Sequence, residues 1–350
     1  MKLFKCQACG QLLYFENTAC VNCGHRLGYL PERTELSALE PEGDAWRALA
    51  EPERPYRFCA NAEHDVCNWL VPAQSNARYC LACRHNGVIP DIGAPAQLAA
   101  WRVIELAKHR LFYALLRLGL PLTTRAADPT HGLVFEFLAD PPQGGPNVMT
   151  GHDDGLITIA LVEADDAERE KRRVAMGEPY RTLLGHFRHE VGHHYWDILV
   201  RDGGRLDACR AVFGDDTRDY NAALKAHYEK GAPGDWQENY VSSYATTHPW
   251  EDFAETWAHY LHIVDTMEMA RAFGVTVRPR LDDTGALAAE IDVDAYAADR
   301  FDAIVEDWLP LTFALNSINR CMGQSDLYPF VLSPPVIAKL SFIHDLVHGR

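Results

Sequence analysis

No uninterrupted run of about 18 apolar residues occurs in this 350-residue chain, and its opening, MKLFKCQACG, has no apolar centre of the secretory kind. A bilayer-spanning helix is thereby excluded, and a cytoplasmic location is expected. Basic charge is scarce: 33 Lys and Arg face 49 Asp and Glu, a formal net charge of -16. Such a chain is repelled by phosphate backbones and anionic membrane surfaces, so neither nucleic acid nor a membrane is an expected partner. Beyond residue 83 cysteine almost vanishes, leaving only Cys209 and Cys321, both expected as buried free thiols. There is no repeat longer than the cysteine clusters and no low-complexity tract. A content of 47% hydrophobic and 10% aromatic residues excludes disorder and collagen and allows a sizeable core, with room for two domains.

What is present begins with the other eight cysteines, all within residues 1–83. In a reducing compartment, clustered CxxC pairs point to metal ligands rather than disulfides. Cys6-x2-Cys9-Gly and Cys20-x2-Cys23-Gly make two knuckles whose thiolates can converge tetrahedrally on one Zn2+, with glycine permitting the tight turn. Cys59, Cys67, Cys80 and Cys83 form a second set with one CxxC pair and one wider spacing, in which His64 competes as a ligand. Iron suits the same thiolates. Residues 1–30 carry a net +2 and residues 56–90 a net +1, which a tetrathiolate centre of formal charge -2 cancels or reverses. Neither segment therefore has the basic face of a phosphate footprint, and a protein partner bound through the zinc ribbons stays open. Between them, residues 31–55 hold four prolines and seven acidic against three basic side chains, the composition of a linker.

From residue 91 the texture changes. Leu98, Trp101, Ile104, Leu111, Leu115 and Leu118 recur at three- and four-residue steps until Gly119 and Pro121 stop the pattern, which predicts a long amphipathic helix. Residues 133–138 and 156–161 read as short strands, residues 141–147 as a turn or loop, and 163–173 as helix. A further helix is expected over 180–199, and it holds His189-Glu190-Val191-Gly192-His193. At 3.6 residues per turn the two imidazoles stand on one face and can reach one Zn2+, while Glu190 is placed as general base toward the water that the ion activates. Chance supplies such an HExxH on the order of 0.05 times in a chain of this composition. A catalytic site also needs a third protein ligand and an open position. Trp196 and Leu199 exclude the metzincin extension, whereas Glu251 and Glu255 lie four apart on a later helix, so that one can bind zinc while the other orients a ligand imidazole.

HEVGH followed by SSYATTHPWEDFAETWAHYLHI resembles a bacterial family of zinc-binding metallopeptidases that carry an N-terminal zinc ribbon, over nearly the whole chain. The same residues are more distantly similar to the catalytic domain of anthrax lethal factor. That likeness implies Glu251 as the third ligand, Tyr244 as the donor to the developing oxyanion and Glu255 as a partner behind the ligands. It leaves residues 201–240 as a loop-rich insertion. Asp197, one turn beyond His193, is expected either to support a ligand imidazole or to form an ordinary salt bridge, and His186 to form a polar wall of the cleft. His194, His259 and His262 read as surface or core histidines, and Trp250 and Trp257 as core.

The expectation is thus an α+β protein with a zinc ribbon at 1–30, a linker at 31–55, a second zinc-binding segment at 56–90 and a zincin-like domain at 91–350. It would hold one catalytic and two structural zinc ions and hydrolyse peptides by the gluzincin scheme, in which HExxH is completed by a later glutamate. The rival classes are a non-catalytic protein-binding module, against which an intact Glu190 argues, and a DNA-associated protease, against which the acidic balance argues.

Overall fold

The computed structural model describes all residues except 142–143, 177–179 and 282. The chain divides into two compact units, Met1–Met176 and Gly177–Arg350.

In the first unit, a small antiparallel ribbon, β1 (Phe4–Lys5) and β2 (Leu12–Leu13), frames the first cysteine knuckles. Then β3 (Arg26–Leu30), β4 (Glu35–Glu42), β5 (Ala45–Ala48), β6 (Pro55–Phe58) and β7 (Leu70–Pro72) form a five-stranded antiparallel sheet in sequential order. The expected linker at 31–55 is therefore corrected: nearly half of it is β4 and β5, two strands of this sheet. Leu36, Ala38, Leu39 and Ala48 are buried, and Leu39 and Ala48 pack with Leu30, Tyr56 and Leu70. The acids and prolines that suggested a linker cluster largely at the ends of these strands, as with Glu42 closing β4, Asp44 in the turn to β5 and Pro52 before β6.

A second sheet holds β8 (Asn86–Val88), β9 (Val134–Leu138), β10 (Gly151–Asp153) and β11 (Leu156–Ala160) in the order β10-β11-β9-β8. β8 and β9 are parallel, and α1 (Pro95–Arg117) forms their crossover. Pro95 sits in the first turn of α1, where its missing N–H costs nothing, and Trp101, Ile104, Leu111 and Leu115 are fully buried along its length. The unit closes with α2 (Asp166–Met176). Residues 142 and 143 of the expected turn at 141–147 lie outside the described residues.

The second unit is mainly helical. α3 (Leu183–Tyr195) starts where the Thr182 side chain accepts from Gly185 N, and it runs into a π-helical turn at Trp196–Arg201. The expected loop-rich insertion contains two helices, α4 (Leu206–Phe213) and α5 (Tyr220–Lys230). No residue of α5 is buried, so it lacks the apolar stripe that would have announced it. α6 (Pro249–Ala272) is buried almost all round and packs against α3 and α4, and also against α7 (Phe301–Cys321) and α8 (Pro334–Val347), as the central helix of a bundle must. A short ribbon, β12 (Thr276–Val277) with β13 (Ala289–Glu290), lies between α6 and α7. Gly192 sets the approach of α3 to α6: a Cβ there would lie 3.1 Å from Ala254 Cα and 3.2 Å from Trp257 Cβ. Without a side chain at this one position the two helices meet closely, and their facing residues form the candidate site.

Candidate metal centres and active site

The first cysteine set converges as its spacing predicts. Cys6 Sγ lies 3.7 Å from Cys23 Sγ and Cys9 Sγ 3.6 Å from Cys20 Sγ, and all four are free thiols. A tetrahedron with Zn–S bonds of about 2.3 Å has edges of about 3.8 Å, whereas a disulfide would need about 2.0 Å. Gly10 and Gly24 adopt φ of +80° and +76°, and their amides close the knuckles onto Cys6 O and Cys20 O at 2.8 Å. Only glycine takes this backbone without strain.

The second set, Cys59, Cys67, Cys80 and Cys83, also converges, with Cys67 Sγ 3.8 Å from Cys80 Sγ. Hydrogen bonds from Cys67, Cys80 and Cys83 hold the Cys59 thiol far below its ordinary range, while burial and Cys59 itself push Cys67 far above it. Four thiols in one buried place cannot all ionise unaided, and a divalent soft cation is what that donor set fits. His64 does not join the group; its ring lies 6.1 Å from that of Trp101. The histidine at this centre is His109 of α1, whose Nε2 is 3.4 Å from Cys67 Sγ and whose Nδ1 hydrogen-bonds Glu105 O at 2.7 Å. Beside it Lys108 pairs with Glu105 at 2.9 Å, both wholly buried. Sequence spacing carried no sign of these three residues, which reach the cysteines from a separate helix.

In the second unit, His189, His193 and Glu251 meet where α3 faces α6. His189 Nε2 is 3.2 Å from His193 Nε2, and Glu251 Oε2 is 3.0 Å from the former and 3.4 Å from the latter. His189 Nδ1 is engaged by Glu255 Oε1 at 2.6 Å, so that in its neutral form, the one that binds a metal, the ring would turn its Nε2 lone pair toward the other two donors. Glu251 Oε2 is buried and makes no hydrogen bond. Electron-rich atoms gathered at 3.0–3.4 Å, with that oxygen unsatisfied, fit a tetrahedral cation about 2.0–2.1 Å from each. Burial by itself would lower His189, but the carboxylates of Glu251 and Glu255 outweigh it and raise the imidazole well above its ordinary range. Burial would likewise raise Glu251, yet His193 and His189 hold it well below the usual carboxylate range.

The other residues expected from the sequence are placed around these three donors. Glu190 is buried on α3. Tyr244 lies on a short 3-10 turn with its ring 5.9 Å from that of His189; burial and the Glu251 charge push its phenol up, so it stays protonated at any physiological pH. Asp197 accepts from Arg201 Nη1 at 2.8 Å, in the salt bridge that was one of its two expected roles. His186 is not among the converging donors of the described residues. His194 and His259 are buried, and His259 is pushed down to about 4 by burial. Cys209 is buried as expected, whereas Cys321 is exposed near the end of α7, which corrects that expectation. Trp257 is core, but Trp250 is only partly buried and its ring lies against that of His193, tilted, with centroids 3.8 Å apart.

Two further residues bear on the site. Ser242 Oγ donates to Glu255 Oε2 at 2.6 Å and accepts from Ala245 N at 3.1 Å, tying the Tyr244 turn to the carboxylate behind His189. Tyr220 Oη donates to Glu251 Oε1 at 2.6 Å, and burial and Glu251 push this phenol up as well.

Residues 97–346 match a family described as "Putative zinc-binding metallo-peptidase". The chain belongs to this family. Residues 3–94 match a zinc-ribbon domain, so the metallopeptidase family and the four-cysteine groups together support zinc binding. Similar proteins include uncharacterised ones of Mycobacterium bovis and of two Mycobacterium tuberculosis strains, each 42% identical over 348 residues that span 99% of this chain and 95% of the relative. No solved structure matches the chain significantly. Among the described residues of this family member, no helix is long and apolar enough to cross a membrane.

Proposed function

We propose that the chain is a zinc-dependent peptidase of the gluzincin type, with a zincin-like catalytic domain whose ion is held by His189, His193 and Glu251. The observation that carries this reading is the meeting of three lone-pair donors at 3.0–3.4 Å beside a buried Glu190 on the same helix as two of them. Zn2+ in such a site polarises a peptide carbonyl and makes water a nucleophile near neutral pH.

The chain's own residues do the rest. Glu190 takes the proton from the attacking water and passes it to the leaving amine. Tyr244, protonated, donates a hydrogen bond to the carbonyl oxygen as negative charge gathers there. Glu255 accepts the His189 Nδ1 hydrogen, which fixes the ring with Nε2 toward His193 and Glu251, where the ion would be held. Asp197, locked to Arg201, steadies the turn that follows His193. The two four-cysteine centres are structural, zinc-bearing and open to a protein partner. Eight thiols gathered as metal ligands suit a reducing compartment, which supports a cytoplasmic location.

Pure protein is expected to contain three zinc ions per chain by elemental analysis. A reproducible value near one would remove both four-cysteine centres from the reading.

The activity is tested by incubating wild-type and Glu190→Gln protein with a cell lysate and counting new peptide N-termini by mass spectrometry. New termini should appear with wild type alone. Equal counts from both proteins would reject the peptidase assignment.

A further inference from the structure

Residues 201–240 separate the HEVGH helix from Glu251, and from this insertion one side chain enters the candidate zinc site. Tyr220, the first residue of α5, donates to Glu251 Oε1 at 2.6 Å. The other oxygen of the same carboxylate is the one that approaches His189 Nε2 and His193 Nε2. We infer that Tyr220 is a positioning residue that makes Glu251 a one-oxygen ligand. The inference rests on the reading of His189, His193 and Glu251 as a zinc site.

A carboxylate free to rotate can grip an ion with both oxygens, and the second oxygen then takes the position a catalytic site must keep open for substrate or water. A short hydrogen bond to Oε1 removes that option, because chelation would require breaking it. The placement of the phenol is itself fixed by a clamp. His248 Nδ1 accepts from Trp250 N at 3.1 Å, capping α6 one turn ahead of the glutamates. Its Nε2 therefore carries the hydrogen and donates to Arg218 O at 3.1 Å, two residues before Tyr220. One imidazole thus sets the start of the helix that bears Glu251 and the strand of chain that bears its partner. The Tyr220 ring also lies edge-on to His248 and Trp250, at 5.4 and 5.9 Å. Those ring contacts are all that a purely structural tyrosine would need.

Tyr220→Phe separates the two roles, since it keeps the ring and removes only the O–H. In the full-length, zinc-loaded chain, chelator titration of this variant should release one ion at about 10- to 100-fold weaker affinity, with the two four-cysteine ions unmoved. When that one ion is exchanged for Co2+, the visible bands should weaken in the variant as the coordination number rises from four to five. Unchanged affinity with an unchanged cobalt spectrum would overturn the inference. His193→Ala run alongside distinguishes the failures: if it too keeps every ion, the zinc-site reading has failed, whereas if it loses one ion while Tyr220→Phe matches wild type, only the role of Tyr220 has. A measurement on unmodified protein makes the result independent of how the variant folds. The infrared difference between zinc-loaded and zinc-stripped protein should show the widely split carboxylate stretches of a one-oxygen ligand, and a narrow splitting would overturn the inference.

Discussion

Glu190→Gln should leave the full complement of metal bound and slow peptide hydrolysis by about 10²- to 10⁴-fold, the usual worth of a positioned general base. Glutamine matches glutamate in shape, so the packing of this buried side chain on α3 is preserved while its capacity to accept a proton is lost. His193→Ala should behave differently. It removes one of the three donors that meet at 3.0–3.4 Å, so it should lose both the ion at that centre and the activity. Ion counts by elemental analysis, set beside cleavage rates on a peptide recovered from the lysate experiment, decide the matter. Parallel metal loss in both variants would make Glu190 a ligand instead of the base.

The two glutamates of α6 should prove unequal. Glu251→Ala takes away Oε2, the oxygen facing both imidazoles, and is expected to empty the centre. Glu255→Ala leaves the three donors in place and frees His189 Nδ1, so zinc should remain but bind about 10- to 100-fold more weakly. In that variant the Ser242 hydroxyl, which donates to the other Glu255 oxygen at 2.6 Å, loses its acceptor as well. Chelator titration with residual zinc counted for each variant provides the check. Should Glu255→Ala lose the ion and Glu251→Ala keep it, the two assignments exchange places.

The parts of the site written in one helical turn were open to reading before any coordinates. His189 and His193 share a face because they are four apart, and Cys6 and Cys9 converge because two residues and a glycine make a knuckle. The parts that depend on chain segments meeting were closed. Tyr220 lies 31 residues before its carboxylate and on a helix with no buried residue, so neither spacing nor periodicity marked it. His109 reaches Cys67 across 42 residues from a helix whose other apolar positions gave no hint of a buried polar group. The strands at 31–55 were obscured for another reason: short antiparallel strands with acids at their ends have the average composition of a linker, and only the burial of Leu36, Ala38, Leu39 and Ala48 reveals them.

α1 begins at Pro95, at the border between the two stretches of sequence that match known families, 3–94 and 97–346. That helix nevertheless places Glu105, Lys108 and His109, all buried, against the thiols of the second cysteine centre. Within this chain the unit of kinship and the unit of folding therefore do not coincide. A gene fragment cut at the family border would send α1 out with a lysine–glutamate pair and a histidine turned to water on the face that ought to meet the cysteines. It would leave the thiols without the histidine and the carboxylate that close over them. The ribbon is thus no detachable appendage of its neighbour, and recombination that exchanged one stretch for that of a distant cousin would have to carry the matching face of α1 along with it.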